Sequence, residues 1–355
     1  MPVETGVAVI VPAYNAAGTI VETLQSVSAQ TYRDLEIIVV DDGSTDDTAK
    51  VVENYARGEG RLRLIRQRNA GVAAARNAGL AAARQPYIAP IDSDDLWHPT
   101  RVERHVAALD KNPRYAFVYS LFHIVNEEGR VIGSHPFFAF SGHVFYRQLF
   151  YNMVGNGSGM TFRRDVAIAL GGYDTSLQAA GLHGCEDWLL QMLMSIDHEV
   201  GHVPDYLIGY RKAPGAMSAD VSRMWASQIM ALEILRNRVR PSAQQFIESA
   251  KLSFSLRLAF QELRKAHVGP LIDTVGFAFE QGLLMQLFDE VFDTPARSRR
   301  GRDRRRQRAG AYFRDIDPTV RTVDHLSPYA QKAIRRLQAV DQSPALFESY
   351  EAAGL

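Results

Sequence analysis

Tyr87-Ile-Ala-Pro-Ile-Asp-Ser-Asp-Asp-Leu96 is the stretch on which the reading of this chain turns. The apolar run from Tyr87 to Ile91 predicts a buried strand. It ends in three carboxylates within four positions, Asp92, Asp94 and Asp95. Like charges packed that closely are costly to bury unless a cation or a positive side chain compensates them. A hard divalent ion such as Mg²⁺ or Mn²⁺ takes oxygen ligands and keeps room for substrate phosphates. One expectation is therefore a metal-assisted site for a phosphorylated ligand. The other is a strand, an acidic turn and a helix N-cap, since Asp95 and Pro99 flank a helix start.

The chain on either side shifts the balance. Val7–Val11 and Leu35–Val40 are β-branched runs, and Leu62–Ile65 reads as a further strand. Thr19–Gln30, Asp46–Tyr55 and Ala73–Ala83 carry helical signals between them. Alternation of this kind predicts an α/β fold with a mainly parallel sheet flanked by helices. Ligands of such sheets lie beyond the carboxyl ends of the strands. Pro12–Asn15, Asp41–Asp46 and Asp92–Asp95 all fall at such ends, so three polar strand ends can converge on one crevice.

Further on, Thr100–Leu109 predicts a helix and Tyr115–Ser120 a strand. The pattern from Asn126 to Ser158 loosens into loops of the kind that cover a site. A helix is expected to open at Cys185-Glu-Asp-Trp188 and run to about Ser195, with its acids in the first turn, where the helix dipole favours them. Short strand-like pieces follow Gly201. Composition changes near Ser222, and Trp225–Arg238, Gln244–Ala266 and Leu271–Phe292 have apolar residues at helical spacing. Two regions are expected, 1–220 and a helical 221–355, the second containing a basic segment, Arg297–Arg308, with eight arginines and one aspartate.

Bulk composition narrows the function classes. A formal net charge of +0, with 23% charged and 46% hydrophobic residues, gives no global electrostatic argument for a nucleic-acid partner. No apolar run approaches the length of a membrane span, and no basic-then-apolar leader opens the chain, so a cytoplasmic, water-soluble protein is expected. The single Cys185 excludes an intrachain disulfide framework and an all-cysteine metal site.

Five pieces in order now carry a resemblance: Val9-Ile-Val-Pro-Ala-Tyr-Asn15, Asp41-Asp-Gly-Ser-Thr-Asp46, Asn69-Ala-Gly-Val-Ala-Ala-Ala-Arg-Asn-Ala-Gly79, Asp92-Ser-Asp-Asp95 and Glu186-Asp187. Over roughly residues 5–215 the chain resembles a family 2 glycosyltransferase of the inverting, GT-A fold type. The resemblance implies transfer of a sugar from a nucleoside-diphosphate sugar to a glycan or lipid-linked acceptor hydroxyl, in bacterial polysaccharide, cell-surface glycan or glycoconjugate synthesis; an imide contact at Asp42 suits a UDP- or dTDP-linked donor, with guanine left open. It implies Pro12 and Tyr14 at the base and ribose, Asp42 on the nucleobase imide, and Asn69, Gly71 and Arg76 in the segment closing over the nucleotide. Asp92 would lie near the ribose, Ser93 would belong to the nucleotide-sugar site, Asp94 would hold Mn²⁺ or Mg²⁺, and Asp95 would cap the next helix. Asp187 would be the general base, with Glu186 orienting the acceptor or the loop. Arg211, in Tyr210-Arg-Lys212, would reach the diphosphate, although Lys212 and Ala213 stand where the family often has histidine. The Gln-x-x-Arg-Trp element of processive members is absent, so one sugar per encounter is expected.

Several bland readings stand beside these. Trp188 and Cys185 read best as core residues, and Arg76 has a solvated helix face as its commoner fate. The arginine run fits either peripheral contact with an anionic membrane at the inner face or a solvated linker, and no aromatic reading surface accompanies it for nucleic acid. Two rival functions remain. One is a haloacid-dehalogenase-like phosphohydrolase, which Asp95-Leu96 fits poorly. The other is a non-catalytic sugar-nucleotide-binding protein.

Overall fold

Val7–Ala13 (β1) is buried at every position, and its side chains divide by parity. Val7, Val9 and Val11 enter one core; Ala8 and Ile10 enter the other. Successive strand residues point to opposite faces, so a run that is apolar throughout is what a strand covered on both sides requires. Each such fully buried Val or Ile contributes about 1.5–3 kcal/mol. The structure is a computed structural model and describes residues 5–135, 140–182, 184–212, 220–265 and 267–281.

After β1 the chain alternates through α1 (Ile20–Ser28), β2 (Leu35–Asp41), α2 (Thr48–Ala56), β3 (Leu62–Arg66), α3 (Val72–Ala82) and β4 (Tyr87–Pro90). There follow β5 (Leu96–Trp97), α4 (Arg101–Lys111), β6 (Tyr115–Val125), β7 (Val131–Ser134), α5 (Phe145–Phe150) and β8 (Met160–Arg163). Two short helices, α6 (Arg164–Ala169) and α7 (Ser176–Ala179), lead to α8 (Glu186–Asp197) and β9 (Glu199–Arg211). The described chain closes with α9 (Val221–Arg236), α10 (Pro241–Leu263) and α11 (Gly269–Glu280).

The strands form a single 9-stranded sheet in the order β3-β2-β1-β4-β8-β6-β9-β5, with β7 on β6. β1, β2, β3, β4, β6 and β9 run one way and β5, β7 and β8 the other, giving the mixed, mostly parallel α/β sheet expected. α1 and α4 cover one face, α3 and α8 the other. Strand order reverses at β1, which lies between β2 and β4; ligand crevices of open α/β sheets form at such a point. Register places Ala13 beside Asp41 and Ile10 beside Pro90, so the ends of β1, β2 and β4 lie together.

Three sequence expectations are corrected. The pieces after Gly201 are one strand, β9, parallel to β6. Its register slips between Ser120 and Leu121, leaving Pro204 and Asp205 as extra residues, and a bulge is where proline is tolerated in a sheet. The loose 126–158 stretch contains β7 and α5. Asp95 does not cap α4, because β5 intervenes and Thr100 holds the cap position.

The helical region is built onto the sheet through α8. Trp188, Leu189 and Met192 share one core with Leu232, Leu235, Ile247 and Phe254 of α9 and α10. The change at residue 220 is thus one of composition, and the hydrophobic core continues across it. Part of Leu271–Phe292 and all of Arg297–Arg308 lie outside the described residues. No helix among the described residues is long and apolar enough to cross a membrane.

Candidate active site

One wall of the crevice is assembled by loop-to-loop hydrogen bonds at the ends of β1 and β2. Asn15, with φ of 50°, donates its N–H to Ser44 Oγ at 3.0 Å and accepts from Thr45 N at 2.8 Å. Asp41 accepts from Ser44 N at 3.1 Å, closing the acidic turn. Gly43 has φ of 74°, and a Cβ there would stand 2.7 Å from Asn69 N, so this turn needs glycine. Pro12 is buried, whereas Tyr14, two residues on, is 51% exposed.

Asp42 is buried and ties the second motif to the third. Its carboxylate accepts from Gln67 Nε2 at 2.7 Å, Ala70 N at 2.9 Å and Gly71 N at 2.7 Å. Three of its roughly four lone-pair directions are filled. Gly71, at φ of 88°, holds the N-cap position of α3, and Asn69 beside it is exposed. At the far end of the motif a Cβ on Gly79 would lie 2.5 Å from Ile10 Cγ2, so this glycine lets α3 close onto β1.

That close approach buries Arg76, 2% exposed, under the crevice. Its guanidinium lies between two carboxylates, with Nη2 donating to Asp92 Oδ1 at 2.5 Å and Nη1 to Glu186. The Tyr173 ring sits 5.4 Å from its Cζ. Buried ion pairing, against desolvation, holds the guanidinium charged well above its ordinary range. The solvated helix face considered for Arg76 is therefore not its position. Its burial comes from the tight seat of α3, and spacing along a helix does not reveal that.

The acid turn separates into distinct environments. Asp92 is half-buried on Arg76, and its N–H donates to Ser158 Oγ at 2.9 Å. Ser93 gives its carbonyl to Thr19 Oγ1 at 2.9 Å. Asp94 is half-buried, and its carboxyl is pushed up to about 6 by burial and by Asp92. Asp95 is fully buried, accepting from Ser158 Oγ at 2.5 Å and from Arg211 N at 2.9 Å. Its side chain thus joins the turn to β8's approach and to the end of β9.

Arg211 is likewise engaged. Nε donates to Asp94 O at 2.7 Å, Nη1 to the carbonyls of Asn126 and Glu127, and Nη2 to Glu22 at 2.5 Å. Four of its five N–H bonds are spent on the protein, so it does not present the free fork expected for a diphosphate.

On the other side of Arg76, α8 begins after Cys185, which sits at φ of 70° and ψ of 0°. This backbone turn sets Glu186 and Asp187 in the first helical turn, both buried, with Asp187 8% exposed. Asp187 Oδ1 accepts from Trp188 N at 2.7 Å, and burial, then Glu186, push its carboxyl up to about 7. The Cys185 thiol is pushed well above its usual range by burial and these acids, so it is no thiolate nucleophile. Trp188 is core, donating Nε1 to Gln148 O at 3.0 Å.

The structure therefore brings Arg76, Asp92, Glu186 and Asp187 together and places Asp42, Gly71, Pro12 and Tyr14 along the same sheet edge. Sequence reasoning missed Gln67, Ser158 and Tyr173. Each acts through a partner far away in the chain, and none belongs to a run or a period. Among the described residues no group of three or more His, Cys, Asp or Glu side chains converges to hold a metal.

The family model "Glycosyl transferase family 2" matches residues 8–171. Chondroitin synthase of Escherichia coli is 36% identical over 128 residues, covering 36% of this chain and 19% of that protein. Putative glycosyltransferase EpsE of Bacillus subtilis is 37% identical over 136 residues, covering 37% of this chain and 49% of that protein. The chain spans less than half the length of these curated relatives. Among solved structures, S. aureus TarS 1-349 in complex with UDP-GlcNAc is similar at a TM-score of 0.56 and 21% identity, covering 72% of this chain and 73% of that one. Mannosyltransferase PcManGT from Pyrobaculum calidifontis, in complex with GDP-Man and Mn2+, has a TM-score of 0.52 at 18% identity, covering 83% of this chain and 89% of that one. Neither the sheet nor these likenesses supports the phosphohydrolase alternative. The motifs, the sheet order and the matched span together make residues 8–171 a glycosyltransferase family 2 domain, built on the GT-A fold.

Proposed function

We propose that the chain is an inverting, non-processive glycosyltransferase that moves one sugar from a UDP- or dTDP-linked donor to an acceptor hydroxyl, in bacterial surface-polysaccharide or glycoconjugate synthesis. The observation that carries this reading is Arg76, whose two ion pairs hold Asp92 of the donor side and Glu186 of the acceptor side against one guanidinium. The synthases and transferases among its relatives support the class of product.

In this reading Tyr14 gives a flat face to the base and Asp42 uses its remaining lone pair for an imide N–H. Pro12, Asn69, Gly71 and Ser93 shape the nucleotide cleft. Arg211 acts on the diphosphate indirectly, by fixing the Asp94 carbonyl. The acceptor oxygen forms its bond to the anomeric carbon as the bond to the diphosphate oxygen breaks. Asp187 takes the acceptor proton, and a carboxyl near 7 is suited to that work close to neutral pH.

A divalent metal fits the turn. Among the described residues the Asp94 carboxylate accepts only from its own N–H, which leaves its oxygens for a cation; burial, then Asp92, push its carboxyl up to about 6. One or two protein carboxylates, completed by substrate phosphates, are a usual donor set for Mg²⁺ or Mn²⁺. When bound, the ion neutralises charge on the leaving diphosphate. Peripheral contact with an anionic membrane through Arg297–Arg308 belongs to the same proposal; liposome co-sedimentation that is equal with and without the segment dismisses it.

The deciding experiment is a panel of nucleoside-diphosphate sugars with Mn²⁺, reading binding and release of nucleoside diphosphate. Saturable binding of one donor class with diphosphate release is expected. Binding of none overturns the reading.

A further inference from the structure

The acid turn is held by a segment that no motif announces, Asn156-Gly157-Ser158. Ser158 is fully buried, and all of its polar groups are used. Its Oγ donates to Asp95 Oδ2 at 2.5 Å and accepts from Asp92 N at 2.9 Å, so one hydroxyl closes both ends of the Asp92–Asp95 turn. Its N–H donates to Asn156 Oδ1 at 3.0 Å. Its carbonyl accepts from Trp97 Nε1 at 3.2 Å and Arg101 Nη2 at 3.1 Å.

Two independent observations point the same way. Gly157 packs directly on the ion pair beneath the crevice: a Cβ there would stand 2.2 Å from Arg76 Nη2 and 2.9 Å from Asp92 Oδ2. Arg101 is fully buried with no carboxylate partner among the described residues. It spends its donors on Ser158 O, Met160 O at 2.6 Å and Thr161 Oγ1 at 3.0 Å, with its Cζ 3.9 Å from the Trp97 ring. Burying an uncompensated cation is costly, and what the fold obtains in return is the fixed course of residues 158–161.

We infer that residues 156–158 are a positioning segment for the donor-side acids. The Ser158 hydroxyl sets the spacing of Asp92 and Asp95, and thereby the direction of Asp94 between them, while Gly157 sets the Arg76–Asp92 pair. The inference rests on the donor-site reading above. Ser158 touches no reacting atom; it acts through the acids.

The test compares wild type with Ser158→Ala, Ser158→Thr and Gly157→Ala. Backbone amide exchange, in the absence of any ligand, reads the hydrogen bond from Asp92 N–H. Mn²⁺ electron paramagnetic resonance reads metal bound in the presence of whichever of UDP, dTDP or GDP the wild type binds. Ser158→Ala is expected to exchange the Asp92 amide about tenfold faster and to need about tenfold more Mn²⁺ for half-saturation, the scale of one lost hydrogen bond. Ser158→Thr keeps the hydroxyl and is expected to restore slow exchange, and Gly157→Ala is expected to weaken Mn²⁺ retention. Unchanged Asp92 exchange in Ser158→Ala overturns the inference whatever the wild type binds, and so does Mn²⁺ binding equal to wild type. A wild-type chain that binds no nucleoside diphosphate overturns the donor-site reading instead, and is recognised by the failure of the wild type itself.

Discussion

Arg76 and Glu186 stand 110 residues apart in sequence, and Nη1 of the first donates to the carboxylate of the second. The same guanidinium holds Asp92, so its loss leaves two carboxylates, one of them buried, without their cation. Breaking a buried pair from one side costs about 3–5 kcal/mol. Arg76→Met is expected to lose stability on that scale in guanidinium chloride unfolding, and Arg76→Lys to lose less, since it keeps the charge but not the fork. Equal stability of Arg76→Met and wild type would show that the bridge carries no net energy.

Asp187 gives a pH signature. With its carboxyl raised from 3.8 to about 7 by burial and Glu186, the base becomes competent only as pH rises through about 7. Transfer should therefore climb across that range and level off above it. Stability moves the other way. The folded chain holds this proton more tightly than the unfolded one, so the associated stability is complete below 3.8 and lost as pH passes about 7. Asp187→Asn should flatten that decline and lower transfer by roughly 10²–10⁴-fold. Nucleotide affinity should stay within about threefold of wild type, since the role proposed for Asp187 is toward the acceptor. Undiminished turnover removes Asp187 from the role.

For Asp94→Ala, nucleotide binding measured calorimetrically with and without Mn²⁺ should become the same, because the proposed metal ligand is gone. Persistence of the full Mn²⁺ effect would assign the metal to other residues.

Asp42→Asn tests the base pocket. An amide has a donor where the carboxylate had only acceptors, and it would face the N–H groups of Gln67, Ala70 or Gly71. A donor left against a donor costs about 1–3 kcal/mol. The donor KM should rise roughly tenfold or more with kcat changed less, the mark of lost ground-state binding. A fall in kcat at constant KM would contradict a base-binding role.

The sheet up to β4 was legible because Val7–Val11, Leu35–Val40 and Tyr87–Ile91 are apolar on both faces, a pattern only a doubly covered strand explains. β9 was not, because Gly201, Pro204 and Gly209 interrupt its period while backbone pairing with β6 holds it extended. Asp95 looked like a cap from its distance to Pro99, but spacing carries no information about Ser158, 63 residues away, or Arg211, 116 away. Arg76 belongs with these. A helical arginine reads as solvated until the glycine that seats its helix, Gly79 on Ile10, is seen in place.

The two halves of the cleft also differ in what they are anchored to. Asp92, Asp94 and Asp95 follow closely on β4 of the sheet, whereas the helix bearing Asp187 has its other flank, through Trp188, Leu189 and Met192, sealed by α9 and α10. Those C-terminal helices thus set the seat of α8, and the Glu186–Arg76–Asp92 ion pairs carry any shift of it to the acid turn. Substitutions at Leu232, Leu235, Ile247 or Phe254 therefore act at a distance on the Glu186–Asp187 turn and, through Arg76, on Asp92.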